Sequence, residues 1–387
     1  MKKLNNHRKF AVISLYICRK EIFSMAKYIY EYKNWTQFTW QDKAVNAVFG
    51  EVRNAQGKIN GQMNALGFSA KEEATLSTLT LDVVKSSEIE GELLNYDQVR
   101  SSIARRLGIN TAGLVPSNRH IEGVVEMMLD ATQNYKKPLT QERLFGWHAA
   151  LFPTGYSGPY KIEVAQYRTG KMQVVSGAMG KEKIHFEAVK PDLVKFEMDK
   201  FLTWFNSNEN IDQVLKAAIA HFWFIIIHPF DDGNGRIARA ITDLLLARAE
   251  DNGERFYSMS SQILIERKQY YEVLQKVQHS SGDITDWLSW FLFCLKNALY
   301  ETENTMLKIL NKANFWRLHE HTPINQRQRL MINKLFDGFE GKLQTAKWAK
   351  ITKSSNDTAL RDIKDLVEKG ILKAEKQSGR NANYELV

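Results

Sequence analysis

Cysteine is nearly missing from this chain. Two residues, Cys18 and Cys294, occur in 387, which excludes a disulfide scaffold and a cysteine-based zinc site. That scarcity suits a reducing compartment, so the expected location is cytoplasmic. Length for a bilayer is also lacking. The most apolar stretch, residues 213–227, falls short of the ~20 residues a spanning helix needs, and no membrane partner is expected. Fixed-period repeats and low-complexity linkers are absent. A charge excess is missing from most of the chain. The formal net charge is +9, yet residues 1–24 and residues 325–387 each carry +5. The 300 residues between them hold 34 basic and 35 acidic side chains. Any polyanion-binding role therefore belongs to the two ends. What remains is ordinary: 44% hydrophobic and 25% charged residues exclude disorder as the dominant state. The length suits two or three domains and a sizeable core.

Residues 1–24 read as a basic extension. Lys2, Lys3, Arg8 and Lys9 precede a short apolar run, and no small residues mark a cleavage site. The expectation is a non-native or mis-started segment, with the true start near Met25. Residues 25–115 read as an N-terminal helical region. Within it, Lys71–Leu94 predicts a strong helix with Leu76, Leu79, Val83 and Val84 as its stripe and Gly91 as its stop. Residues 116–324 read as a helical core with following helices. Arg119–Gln133, Thr140–Leu151, Leu193–Asn206, Ile237–Ala249 and Glu266–Gln278 carry helical periodicity. So do Trp287–Leu299 and Thr305–Leu318. A short β-hairpin is predicted over residues 167–186. The segment 213–227, apolar on every face, predicts a buried central helix. Residues 325–387 read as a separate unit of three helices and two short strands joined by the turn Gln377–Arg380, a winged helix-turn-helix.

Chemistry concentrates directly after the central helix, in His228-Pro229-Phe230-Asp231-Asp232-Gly233-Asn234-Gly235-Arg236-Ile237-Ala238-Arg239. Pro229 disfavours helical geometry at His228, so the imidazole stands at the lip of a loop. Gly233, Asn234 and Gly235 can turn backbone N–H groups inward. A helix expected from near Arg236 offers its N-terminus to an anion. Arg236 and Arg239 share one face, and their forks suit phosphate oxygens. Asp232 is a hard oxygen ligand suited to Mg²⁺.

This segment resembles the Fic family signature, His-Pro-Phe-x-(Asp/Glu)-Gly-Asn-Gly-Arg-x-x-Arg, at every fixed position. The resemblance implies an all-α fold: a Fic-type helical core with a short β-hairpin flap, followed here by the winged helix-turn-helix. It implies a protein adenylyltransferase moving AMP from ATP to a Tyr, Thr or Ser hydroxyl. His228 would be the general base and Asp232 the Mg²⁺ ligand. Gly233, Asn234 and Gly235 would form the anion hole. Arg236 would steady the leaving phosphates, and Arg239 would reach the γ-phosphate. The hairpin around Val175 would clamp a target segment by strand addition. Tyr271 would contact adenine, although Tyr270 and Tyr271 also fit as plain helix aromatics. Gln278 stands where some relatives have Asn.

The run Ser86-Ser87-Glu88-Ile89-Glu90-Gly91 matches the inhibitory pattern (Ser/Thr)-x-x-x-Glu-(Gly/Asn) of self-inhibited Fic proteins through Ser86, Glu90 and Gly91. Glu90 would then pair with Arg239 where the γ-phosphate should sit. Removal of AMP, self-modification and a homodimer all stay open. Arg361, Lys364 and Arg380 could serve DNA, whereas Asp362, Asp365 and Glu368 on the same helix would repel phosphates. DNA binding and a protein-docking or dimerising role both remain for residues 325–387. The competing class is a DNA-binding transcriptional regulator whose Fic core only senses nucleotide.

Overall fold

Helices dominate, as the apolar periodicity predicts. The structure is a computed structural model that describes residues 28–64, 68–109, 114–176, 183–336, 339, 341–374 and 383–387. The basic extension and the turn Gln377–Arg380 lie outside the described residues. A 3-10 turn, Ile29–Glu31, leads to α1 (Asp42–Asn64), α2 (Phe68–Ile89), α3 (Tyr96–Leu107), α4 (Arg119–Gln133) and α5 (Gln141–Leu151). A minimal hairpin follows, β1 (Tyr156–Ser157) with β2 (Tyr160–Lys161), and then a longer one, β3 (Gln173–Ser176) with β4 (Lys183–Glu187). Next come α6 (Pro191–Phe205), α7 (Gln213–Ile227), α8 (Asn234–Glu250), α9 (Met259–Ile265), α10 (Arg267–Val277) and α11 (Thr285–Leu318). The chain ends with α12 (Gln326–Phe336), α13 (Thr345–Thr352), α14 (Asn356–Glu368), β5 (Leu372–Ala374) and β6 (Tyr384–Leu386).

Local chemistry sets the helix starts. The side chains of Asn95, Asn118, Thr140, Asp212, Ser258 and Ser355 each accept a hydrogen bond from a first-turn backbone N–H. Several boundaries differ from expectation. Trp287–Leu299 and Thr305–Leu318 belong to one helix, α11, because no Gly or Pro interrupts residues 300–304. Tyr167–Gly170 is not strand, since the Arg168 N–H donates to the Pro229 carbonyl at 2.9 Å instead of to a neighbouring strand. α3 and α9 had no counterpart in the sequence reading.

Contacts divide the chain into two units, one ending at Glu301 and the other spanning Thr302–Val387. In the first unit α7 is buried on nearly every face and packs along α8. The second unit pairs β5 with β6 antiparallel and packs Trp348, Ile363 and Leu366 into its core. Phe315 and Trp316 of α11 lie against that core, so the division falls earlier than residue 325. Among the described residues no helix is long and apolar enough to cross a membrane.

Candidate active site

α7 stops one residue short of Pro229. His228 caps it in the left-handed region (φ 51°, ψ 61°), with its N–H still donating to the Phe224 carbonyl at 2.9 Å. A non-glycine residue held there stores about 1–3 kcal/mol, and such positions cluster at functional sites. His228 Nδ1 lies 3.2 Å from the Ile225 carbonyl oxygen. An oxygen acceptor requires Nδ1 to carry the proton, which leaves the Nε2 lone pair free. Burial, then the Arg168 charge, holds the imidazole down at about 4, against weaker pulls from Glu90 and Asp232. The ring is therefore neutral near pH 7 and ready to accept a proton.

The loop after His228 is braced from within. The Asn234 side chain bonds both the N–H and the carbonyl of Phe230, at 3.0 and 2.7 Å. His148 stacks on Phe230 at 4.3 Å. Its Nε2 meets the Asp232 carbonyl at 3.2 Å, while its Nδ1 accepts from Ala165 N–H at 3.1 Å. Gly233 has φ +81°, and a Cβ there would stand 2.9 Å from Phe152. α8 begins at Asn234, two residues before the expected start, so the first-turn N–H groups at Asn234 and Gly235 have no intrahelical acceptor. Asp232 accepts the Gly233 N–H at 2.6 Å through one carboxylate oxygen and the Ser157 hydroxyl through the other.

Arg236 and Arg239 are both buried on α8, and each is held by an acid from the end of α2. Arg239 donates through Nε to Ser86 Oγ, and through Nη2 to the Ser86 carbonyl and to Glu90 Oε1, each at 2.8 Å. Arg236 Nη1 donates to Glu92 Oε2 at 2.8 Å, and its guanidinium lies 5.0 Å over the Phe152 ring. Glu92 also meets His120. Burial raises the Glu92 carboxyl, but His120 and Arg236 outweigh that and hold it below the usual range. Two donors, Arg236 Nε and Arg239 Nη1, are buried without a partner among the described residues. They mark unfilled capacity for an anion. Glu90 covers the glycine of the nest: a Cβ at Gly235 would fall 2.0 Å from Glu90 Oε1. Gly91 follows with φ +84° and releases the chain from α2.

The same two helices are tied deeper down. Arg255 donates to Asp243 of α8 at 2.6 Å and to Asp82 of α2 at 3.2 Å. Burial and then the neighbouring Asp243 raise the Asp82 carboxyl, against the pull of Arg255 and Ser258. Asp82 lies one helical turn before Ser86, so this group fixes the approach of the Ser86–Gly91 segment to α8.

The tyrosine pair splits. Tyr270 is buried, with its hydroxyl 2.9 Å from His221 Nε2, a core arrangement. Tyr271 is 43% exposed and stands edge-on to Tyr270 at 5.0 Å. Partial burial, then the charge of Glu90, pushes its phenol up to about 12. Val175 sits in β3 opposite Ile184, directly after a register shift. The Phe186 ring of β4 packs 6.2 Å from the His228 ring. Sequence reasoning missed Arg168, His148, Ser157, Glu92, His120 and the Asp82–Arg255–Asp243 group. Only Glu92 had a local signal, lying two residues beyond Glu90.

Among the described residues no group of three or more His, Cys, Asp or Glu could hold a metal ion. Asp232 offers a carboxylate at the start of the nest. That matches an ion such as Mg²⁺, which keeps few protein ligands when phosphates and waters supply the rest.

Residues 28–109 match a domain of unknown function, DUF4172, and residues 138–246 match the Fic/DOC family. The chain is 28% identical over 252 residues to the protein adenylyltransferase Fic of Drosophila grimshawi, covering 64% of this chain and 47% of that protein. It is 26% identical over 246 residues to the protein of the same name from Nematostella vectensis, covering 62% and 51%. The chain thus spans about half the length of the curated relatives it matches. A Fic family protein from Desulfovibrio desulfuricans G20 shares the fold at TM-score 0.53 and 21% identity, covering 91% of this chain and 98% of that one. With the His228–Arg239 loop inside the matched segment, the chain carries a Fic/DOC-family domain.

Proposed function

We propose that the protein is an autoinhibited adenylyltransferase that moves AMP from ATP to a hydroxyl of a protein. The observation that carries this reading is a neutral His228 with a free Nε2, beside a glycine nest and two buried arginines with unpartnered donors. His228 Nε2 takes the proton of a target Tyr, Thr or Ser hydroxyl. The hydroxyl oxygen bonds to the α-phosphorus as the bond to the pyrophosphate oxygen breaks. First-turn N–H groups of α8 and Arg236 stabilise the charge on the leaving phosphates, and Arg239 receives the γ-phosphate. Asp232 would hold Mg²⁺, which when bound neutralises phosphate charge. Tyr271 lines the adenine side, and the β3 edge around Val175 receives the target as an added strand. Run backwards on a modified protein, the same groups could remove AMP.

Ser86, Glu90 and Gly91 act as the brake. The Glu90 carboxylate lies over Gly235 and on Arg239, so a γ-phosphate must displace it or sit elsewhere. A shift of ~1 Å at the α-phosphorus costs roughly a hundredfold in rate. The test is mass spectrometry after incubating Glu90→Gly protein with ATP and a cell lysate. AMP adducts on lysate proteins or on the chain itself are expected, and their absence while ATP binds would sink the reading.

One observation keeps a DNA-binding role for residues 325–387 alive. Asp362 is turned inward and neutralised by Arg327 at 2.8 and 3.0 Å, while Arg361 and Lys364 remain exposed on α14. One of the three acids expected to repel phosphate is thus withdrawn. The winged-helix reading of this unit and a role in dimerisation stand with it as proposals.

A further inference from the structure

Arg168 is buried, yet every hydrogen bond its side chain makes among the described residues goes to a backbone carbonyl. Nε donates to His228 O at 2.7 Å, Nη1 to Gly170 O at 2.7 Å, and Nη2 to Val189 O and, at 3.3 Å, to Ile227 O. Its backbone N–H donates to Pro229 O at 2.9 Å. A buried guanidinium is costly unless its donors are satisfied, and an aliphatic side chain would fill the space more cheaply. The acceptors explain its presence, because they belong to two different structures. Ile227 and His228 present the last carbonyls of α7, which lack intrahelical partners and carry the negative end of the helix dipole. Gly170 and Val189 bracket the β3–β4 hairpin, one before β3 and the other after β4. The planar fork of arginine reaches both sets at once, and lysine has no such geometry.

We propose that Arg168 is a positioning residue that bolts the base of the β3–β4 hairpin to the His228 turn, so that a strand docked on the hairpin presents its hydroxyl to His228 Nε2 in fixed register. Two further contacts follow the same line. The hairpin closes through Ala188 N–H to Met172 O at 3.0 Å, and Phe186 beyond it touches the His228 ring. The bolt also holds His228 in its left-handed conformation by fixing its carbonyl. The inference rests on the adenylyltransferase reading for its purpose, but not for its geometry.

The experiment uses the full chain carrying Arg168→Lys or Arg168→Met, each alone and with Glu90→Gly. Hydrogen exchange over residues 171–189 is measured against residues 119–133 of α4, which report whether the fold survives. Both variants should exchange at least tenfold faster in the hairpin and unchanged in α4. If the Met variant does not fold, the Lys variant decides. In the Glu90→Gly background, self-labelling from radiolabelled ATP should lose at least thirtyfold in kcat with the KM for ATP within twofold. The His228 ring is then titrated by NMR without Mg²⁺. It faces Arg168, Glu90 from the end of α2, Asp232 from its own loop and the Ile225 carbonyl of α7. Arg168→Lys should leave its titration near that of the parent, because the charge remains, and Arg168→Met should raise it. Unchanged hairpin exchange in both variants overturns the proposal. So does faster exchange with full kcat. If Glu90→Gly protein transfers nothing, the adenylyltransferase reading has failed, and the exchange rates and the His228 titration alone uphold or overturn the bolt.

Discussion

Replacing Glu90 by Gly should make the protein less stable and more active at once. The change removes the Arg239 Nη2–Glu90 Oε1 bond, 2.8 Å long, between a side chain 2% exposed and one 32% exposed. A hydrogen bond between charged groups contributes about 1.5–3 kcal/mol. The two Ser86 bonds to Arg239 remain, so the loss should stay within that range. For a unit of this size it lowers the melting temperature by roughly 3–10 °C. ATP should then restore what was lost. At a hundred times its dissociation constant a ligand contributes about 2.7 kcal/mol, close to the missing bond. AMP has no γ-phosphate for Arg239 and should restore much less. Transfer should rise by roughly a hundredfold if Glu90 only misaligns the α-phosphorus. The assay is a thermal melt of parent and variant with ATP, AMP or neither, run beside labelled-ATP transfer. Equal melting of the two proteins, equal shifts by ATP and AMP in the variant, or equal transfer would each refute the reasoning.

His228→Ala should abolish transfer in the Glu90→Gly background and leave the ATP melting shift intact, since Nε2 acts on the target hydroxyl and not on nucleotide. Gly235→Ala should weaken ATP binding with or without Glu90, because the added methyl stands where a carboxylate or phosphate oxygen would lie; titration calorimetry reads this directly. His148 is held down at about 4 by burial, so it contributes stability above its unfolded value near 6.5 that is lost as pH falls through about 4. His148→Gln keeps a donor and an acceptor, and should reduce the acid slope of urea-measured stability by up to about 1.4 kcal/mol per pH unit in that window. If the second unit binds DNA, Arg361→Ala with Lys364→Ala should lower duplex affinity and reduce the salt slope by about two; parent protein with no salt-dependent binding would remove that role.

Much of the fold is legible in the periodicity of the sequence. α4 and α7 fall on their expected residues because their apolar stripes end at unambiguous caps, Asn118 and Asp212. α3 was missed because its apolar stripe is short, Val99, Ile103 and Leu107, among Arg100, Arg105 and Arg106, whose partners Glu73 and Glu122 lie on other helices. The loop chemistry was legible because its residues are contiguous. Its supports were not. Arg168 acts through carbonyls up to 60 positions away, and a carbonyl has no sequence signature. Ser157 and His148 reach Asp232 from about eighty residues upstream. The Asp82–Arg255 pair spans 173 positions, and nothing in local spacing announces it. Asn234 illustrates a partial reading: its place in the nest was clear, but its side chain is consumed in bracing Phe230.

The Glu90 carboxylate over Gly235 and the arginine it meets belong to one chain. Their encounter is unimolecular, so dilution does not separate them and raising the protein concentration does not drive them together. A competitor must therefore match an effective local concentration set by α2 and its buried anchor at Asp82. If Glu90 is the brake proposed above, relief is governed by whatever moves that helix, and proteolytic removal of residues 28–109 would take Glu90 and one of the two carboxylates on Arg255 away in the same cut, leaving Asp243.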